Sequence, residues 1–120
     1  MKRYRFSDLP SVSEGHVLSG VLPGRYLNQG GLGFKAPGER THTNDGPDNA
    51  DRHVHADAEA FVILQGKGAM EINGVKHSVT TGDVIIVEPG EDHHLISDVT
   101  DPCVNLWFHA GETSWIGKSA

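Results

Sequence analysis

The stretch Thr81-Gly82-Asp83-Val84-Ile85-Ile86-Val87-Glu88-Pro89-Gly90-Glu91-Asp92-His93 decides the fold. Its four consecutive β-branched residues, 84–87, lie between a Gly-Asp turn signal and a Pro-Gly turn signal. A short apolar run with such flanks is typical of a buried strand. Residues 93–97 leave the second turn as the next candidate strand, so the chain turns back within a few residues.

The rest of the chain repeats this pattern of short strands and tight turns. Asn73-Gly74 separates 70–72 from 75–77, which predicts a β-hairpin with a type I′ turn. Residues 25–35 are extended and glycine-rich, which indicates a bulge or a close backbone approach. Further strands are predicted at 2–6, 16–22, 59–65, 69–72 and 103–109. Such spacing predicts an all-β sandwich or barrel of antiparallel strands with at most short helical turns.

Composition excludes several classes of protein. A chain of 120 residues predicts a single domain. The net charge of −6 argues against a nucleic-acid surface, and no apolar run approaches the roughly 20 residues of a membrane helix. The basic N-terminus has no apolar segment behind it, so we expect a cytoplasmic protein. Cys103 is the single cysteine, which excludes an internal disulfide and a thiolate-rich zinc site.

Eight histidines are the unusual feature of the composition. His53 and His55 are two residues apart and Glu59 follows four residues later. On a strand, His53 and His55 would point to one face and could share a metal ion. The alternative is a pair of solvated loop histidines, which the spacing alone leaves open.

Together these stretches resemble the two motifs of the cupin superfamily, over roughly residues 30–110. The first motif stands here as Gly46, His53-Val54-His55, Glu59 and Gly66, with one extra residue between Gly46 and His53. The second is the stretch 82–93, with its proline one place later than usual. Ser97 replaces an asparagine that is often found four residues after the histidine.

The resemblance implies a double-stranded β-helix, the jelly-roll barrel, within one domain of residues 1–120. Residues 30–110 would form the barrel and residues 111–120 a tail. Residues 1–29 would hold N-terminal strands, which commonly join small cupins into dimers. A homodimer is therefore expected.

The resemblance also implies one divalent transition-metal ion, held by His53, His55, Glu59 and His93. These donors suit Mn, Fe, Ni, Co, Cu or Zn. Four protein ligands leave about two positions of an octahedral shell open. The spacing from Gly90 favours His93 over His94, and strand alternation then turns His94 outward, to the surface or onto the outer sheet.

Glu59 has an independent argument for this role, because it shares a strand face with Phe61 and Ile63. An unpaired carboxylate beside an apolar interior is costly, whereas one that binds a cation is not.

A polar loop, residues 36–52, leads into the histidine pair and carries His42. This histidine is a weak candidate for an acid/base group or substrate contact, and a solvated loop histidine is the favoured alternative. His16, His77 and His109 have weaker claims.

The resemblance implies a small-molecule ligand and several possible reactions, since similar cupins include dioxygenases, decarboxylases, isomerases and lyases. Two open metal positions would suit O₂ beside a bidentate substrate, and no isomerase acid/base motif is present. We therefore predict an oxidoreductase of the dioxygenase type that acts on a small carboxylate- or hydroxyl-bearing substrate. The alternatives are a non-catalytic, sensor-like cupin that binds a small ligand or metal, and a cupin isomerase or decarboxylase.

Overall fold

The structure is a computed structural model that describes residues 1–5, 7, 26–43 and 53–111. It contains eight strands in this part of the chain. In chain order they are β1 (Lys2–Arg5), β2 (Tyr26–Phe34), β3 (Ala58–Gln65), β4 (Lys67–Ile72), β5 (Val75–Thr80), β6 (Asp83–Val87), β7 (His93–Ser97) and β8 (Val104–Gly111). The strand expected at 16–22 and the tail from 112 onward lie outside the described residues.

The strands form two sheets whose neighbours all pair antiparallel. The larger sheet has the order β1-β6-β3-β8-β2 and the smaller one the order β5-β4-β7. Apolar side chains from both sheets form one core: Phe61, Ile63, Met70, Ile72, Val79, Ile85, Val87 and Leu95. This arrangement confirms the all-β jelly-roll barrel. No helix among the described residues is long and apolar enough to cross a membrane.

The stretch 81–93 carries the chain from one sheet to the other. Every residue of β6 is buried, because this strand lies between β1 and β3 in the larger sheet. After the turn at 88–92 the chain continues as β7 at the edge of the smaller sheet. The start of β7 therefore faces the larger sheet across the interior, which is where His93 lies.

One sequence-predicted turn and one bulge are confirmed. Asn73 and Gly74 both have positive φ, 47° and 83°, as a type I′ hairpin requires, and Ile72 pairs with Val75 across the turn. The register of β2 against β8 shifts between Leu27 and Gln29, which is the irregularity expected of the glycine-rich segment.

Gly66 lies at the junction of β3 and β4, where the chain passes very close to the segment before β8. Its φ is 77°, and a Cβ at this position would lie 2.0 Å from the carbonyl oxygen of Pro102. Only glycine fits both the backbone angle and the close approach.

Candidate metal centre

His53 and His55 reach the site from outside the regular sheets. The structure assigns neither to a strand, because β3 begins only at Ala58. Instead, the segment lies against the turn before β7: the amide of Gly90 donates to the carbonyl of His55 at 3.0 Å, and the amide of His93 donates to the carbonyl of His53 at 3.2 Å. These bonds, rather than strand alternation, bring the pair beside His93.

The four residues expected to bind a metal converge. One possible ligand atom from each of His53, His55, Glu59 and His93 lies within 4.8 Å of the others. Oε1 of Glu59 is 3.0 Å from Nε2 of His55 and 3.0 Å from Nε2 of His93. Adjacent donors about 2.1 Å from one ion in an octahedral shell are themselves about 3.0 Å apart. The donor set therefore fits a transition-metal ion.

The opposite ring nitrogens of two of these histidines are held by oxygen acceptors. Nδ1 of His93 lies 2.9 Å from the backbone carbonyl of Glu91, and Nδ1 of His55 lies 3.0 Å from the carbonyl of Asp57. A carbonyl only accepts, so each Nδ1 must donate its proton. Each Nε2 can then either bind a cation through its lone pair or carry a second proton toward Glu59.

The charges of the cluster follow from this geometry. Burial alone would raise the pKa of Glu59, but hydrogen bonds from His55 and His93 and the nearby imidazole charges lower that pKa to about 2. Burial alone would lower the pKa of His55, but its hydrogen bond to Glu59 and the charges of Glu59 and Asp57 raise it overall. The buried carboxylate thus requires positive charge around it, from protons or from an ion.

The burial of His94 decides between the two outward positions that the sequence left open. Strand alternation does turn it away from His93, but the residue is buried rather than on the surface. Nδ1 of His94 lies 2.8 Å from the carbonyl of Thr41 and Nε2 lies 3.1 Å from Oδ1 of Asp92. The physical reason is the neighbouring segment. The backbone of Arg40 forms an isolated antiparallel β-bridge with Ile96, and the segment around Arg40 covers this face of β7.

His42 lies at the mouth of the site. Its ring stacks on that of His53, with centroids 3.7 Å apart and nearly parallel planes, and its backbone has a φ of 56°. The side chain is exposed and borders the cavity. Of the loop predicted to approach the site, residues 44–52 lie outside the described part of the chain.

Sequence reasoning ranked His109 below His42 and did not identify Asp57. Nδ1 of His109 lies 2.9 Å from Oδ1 of Asp57, and its Nε2 lies 3.6 Å from Oε2 of Glu59. Together with His55, these two residues form a second group that could hold a cation. The signal was present in β8, where alternation puts 105, 107 and 109 on one face, and Glu59 pairs with His109 across the strands.

These groups line a cavity of about 360 Å³ inside the barrel. Its wall combines ionisable and polar groups with two aromatic rings: Lys35, Thr41, His42, His53, His55, Glu59, Phe61, Asn105, Trp107 and His109. A larger groove of about 500 Å³ lies elsewhere, and the described residues that line it include no histidine. The chemistry converges on the smaller cavity.

Comparison with known families agrees with this geometry. A family model described as "Cupin domain" matches residues 36–109, which is more than half of the chain. A search of curated proteins gave no match.

Solved structures extend the comparison. A Photorhabdus luminescens protein is 26% identical with a TM-score of 0.57, over 75% of this chain and 70% of that chain. A cupin protein from Bacteroides fragilis is 19% identical with a TM-score of 0.61, over 99% of this chain and 93% of the other. A salicylate 1,2-dioxygenase from Pseudoaminobacter salicylatoxidans, in complex with gentisate, is 19% identical with a TM-score of 0.52, over 65% of this chain and only 18% of the enzyme. The last two likenesses concern the fold alone.

Proposed function

The chain belongs to the cupin domain family, and from that premise we propose that it is a mononuclear metal-dependent enzyme of the dioxygenase type. The proposed ligands are His53, His55, Glu59 and His93. They would hold one divalent ion among Mn, Fe, Ni, Co, Cu and Zn. The proposed substrate is a small carboxylate- or hydroxyl-bearing molecule.

One observation carries this proposal. The Nδ1 atoms of His55 and His93 face fixed carbonyl acceptors, while both Nε2 atoms lie 3.0 Å from the same oxygen of Glu59. Such outer hydrogen bonds fix the tautomer and ring orientation of metal-binding histidines. A buried carboxylate that has no metal ion beside it does not require two imidazole Nε2 atoms to point at the same oxygen.

The chain's own residues have separable tasks. When bound, the ion would supply Lewis-acid polarisation of a substrate oxygen. Phe61 and Trp107 form the apolar part of the cavity wall, against which the carbon skeleton of a substrate could pack. His109 is held through Nδ1 by Asp57, so its Nε2 faces Glu59 and the cavity and can hold a proton taken from a substrate hydroxyl.

The polarity of the cavity favours an enzyme over a sensor-like module that only captures a ligand. Polar groups converge at the end where the proposed ion would lie, and His42 and His109 border that end without being proposed ligands. The choice of a dioxygenase over an isomerase or decarboxylase depends on the two metal positions that the four ligands leave open. The likeness to salicylate 1,2-dioxygenase is too low to select a reaction.

Metal analysis tests the ligand assignment. Purified protein should contain close to one transition-metal ion per chain by elemental analysis, and His55→Ala should lose it. His77→Ala, on β5 and away from the cavity, is the matched control and should keep its metal. Full occupancy in His55→Ala would refute the assignment.

The reaction needs a second measurement. The protein loaded with each candidate metal should be screened for O₂ uptake with small carboxylates, catechols and other phenols. O₂ uptake that matches product formation supports the dioxygenase. Product formation without O₂ points to an isomerase or decarboxylase, and tight binding without turnover points to a sensor-like cupin.

We also propose a cytoplasmic homodimer. Leu32 and Phe34 on the edge strand β2 are 55% and 73% exposed, which is unusual for large apolar side chains. Strand β1 forms the opposite edge of the same sheet within the described residues, and a second copy could add to either edge. Sedimentation equilibrium should give twice the chain mass; a monomer across the micromolar range would contradict the dimer.

A further inference from the structure

Asn105 is a buried amide without a partner. Its side chain is fully buried, and neither Oδ1 nor Nδ2 has a hydrogen-bond partner in the part of the chain that the structure describes. Leaving a buried amide unpaired is costly, and in native proteins such a group usually has a partner, which can be a ligand, an ion or an ordered water. Because Asn105 lines the cavity, a molecule within the cavity could supply the missing bonds.

The amide lies at the opposite end of the cavity from the candidate metal centre. On the inner face of the larger sheet Glu59 pairs with His109, Phe61 with Trp107, and Ile63 with Asn105. Four residues along a strand correspond to about 13 Å at roughly 3.3 Å per residue. The two aromatic rings occupy the level between the two polar ends.

Lys35 supplies a positive charge at the same end. Its backbone amide donates to the carbonyl of Cys103 at 3.0 Å, which fixes the residue beside β8. A Cβ built on Gly33 would lie 2.7 Å from Oδ1 of Asn105 and 2.9 Å from Nζ of Lys35. The side-chain oxygen of Asn105 and the ammonium of Lys35 therefore lie together beside Gly33, where the lack of a side chain leaves room for both groups.

We infer that Asn105 and Lys35 form a carboxylate-binding subsite at the end of the cavity away from the metal centre. With the amide turned so that Nδ2 takes the place of Oδ1, a turn that breaks no hydrogen bond, Nδ2 of Asn105 and Nζ of Lys35 donate to the two carboxylate oxygens. Phe61 and Trp107 contact an apolar or aromatic middle section. The inference rests on the proposed function, because the end of the ligand opposite the carboxylate would bind the ion. It narrows the substrate class to elongated anions whose carboxylate lies remote from the reacting group.

A matched pair of probes tests the subsite: dihydrocaffeate, whose catechol can meet the ion and whose carboxylate is at the far end, and its neutral carboxamide. Affinities for both are measured by calorimetry with zinc-loaded wild-type protein, since zinc does not oxidise the catechol. We expect the carboxylate to bind roughly 10-fold or more tightly than the amide, as for a charge-assisted pair of hydrogen bonds.

Three variants locate the source of that preference. Lys35→Met and Asn105→Leu should each reduce the ratio of the two affinities several-fold while metal content stays near wild type. Lys35→Met should also leave the affinity for the carboxamide near wild type. Asn105→Asp keeps the side-chain shape and should invert the preference, which covers the case in which Asn105→Leu fails to fold. Lys76→Met, an exposed lysine on β5, is the control and should leave the ratio unchanged.

The outcomes separate the subsite from the metal centre. Equal affinity of the wild type for both probes, or binding of neither, overturns the inference. A preference that survives Lys35→Met and Asn105→Asp also overturns it, because the carboxylate would then be bound elsewhere, for instance by the ion. A carboxylate preference that persists in metal-free wild-type protein should disappear in Lys35→Met and Asn105→Asp. That result supports the subsite even if metal analysis refutes the proposed function.

Discussion

Replacing Glu59 by glutamine tests whether this carboxylate is the charge on which the cluster depends. In metal-free protein, burial would raise the pKa of Glu59, yet His55 and His93 hold it at about 2, below its ordinary value of 4.5. Glutamine keeps the shape of the side chain, removes the charge and replaces one acceptor oxygen by an amide donor. We therefore expect Glu59→Gln to destabilise the metal-free protein.

The size of the effect follows from the pKa. Each pKa unit corresponds to about 1.4 kcal/mol, so a lowering from 4.5 to about 2 stabilises the folded state by about 3 kcal/mol. Glu59 is 3% exposed, so little of this interaction is lost to solvent screening. Because the folded-state pKa is the lower one, the stabilisation is complete above the unfolded-state pKa of 4.5 and is lost as the pH falls toward 2.

Urea unfolding of metal-free protein measures this difference. At about pH 5.5 the variant should be about 3 kcal/mol less stable than the wild type, and the gap should narrow steadily below about pH 4.5. Glu39→Gln, an exposed carboxylate outside the cluster, is the control and should change stability by less than about 0.5 kcal/mol. A Glu59→Gln variant as stable as the wild type at this pH, or a gap that does not depend on pH, would refute the reasoning.

Two further predictions concern the ion and the fold. Metal affinity, measured by competition with a chelator, should fall as the pH decreases. The fall should begin above pH 6.5, because the pKa of His55 is raised and an imidazole must be neutral to bind a metal ion. An affinity that is constant from about pH 7 to 5 would exclude imidazole ligands. Gly66→Ala should cost about 3 kcal/mol or more in thermal unfolding, because its Cβ would overlap the carbonyl of Pro102. Gly74→Ala has a φ of 83° but nothing near its Cβ, so it should cost only about 1–2 kcal/mol, and equal losses in the two variants would contradict the clash.

Much of the fold was predictable because its signals are local. The Asn73-Gly74 turn and the buried run 84–87 depend on backbone angles and on residues adjacent in sequence. The residues themselves suggested the pair His53 and His55 and a cation beside Glu59, but joining these residues to His93 required the resemblance to a known family. His53 and His55 do not reach the site on a strand, as their spacing suggested. Hydrogen bonds from the backbone amides of residues 90 and 93 position them instead.

The residues whose surroundings the sequence left open depend on long-range packing. His94 and His93 do alternate, but whether the outer face of β7 meets solvent is decided by the chain at Arg40 and Thr41. His109 enters the site only because β8 pairs with β3 in a register that sets it against Glu59. Strand periodicity gives the face of a residue and not the identity of the neighbouring strand.

The position of the four proposed ligands connects metal binding to the architecture of the barrel. Glu59 belongs to the larger sheet and His93 to the smaller one, while His53 and His55 lie on the segment that crosses to β3. Without an ion, the raised pKa of His55 favours a proton on this imidazole beside the buried carboxylate; an ion would take the place of that proton. Binding should therefore release protons and join the two sheets at one point. An ion that binds only the folded state adds stability in proportion to the logarithm of its concentration over its Kd. The ligands that would position a substrate oxygen would therefore also stabilise the contact between the two sheets.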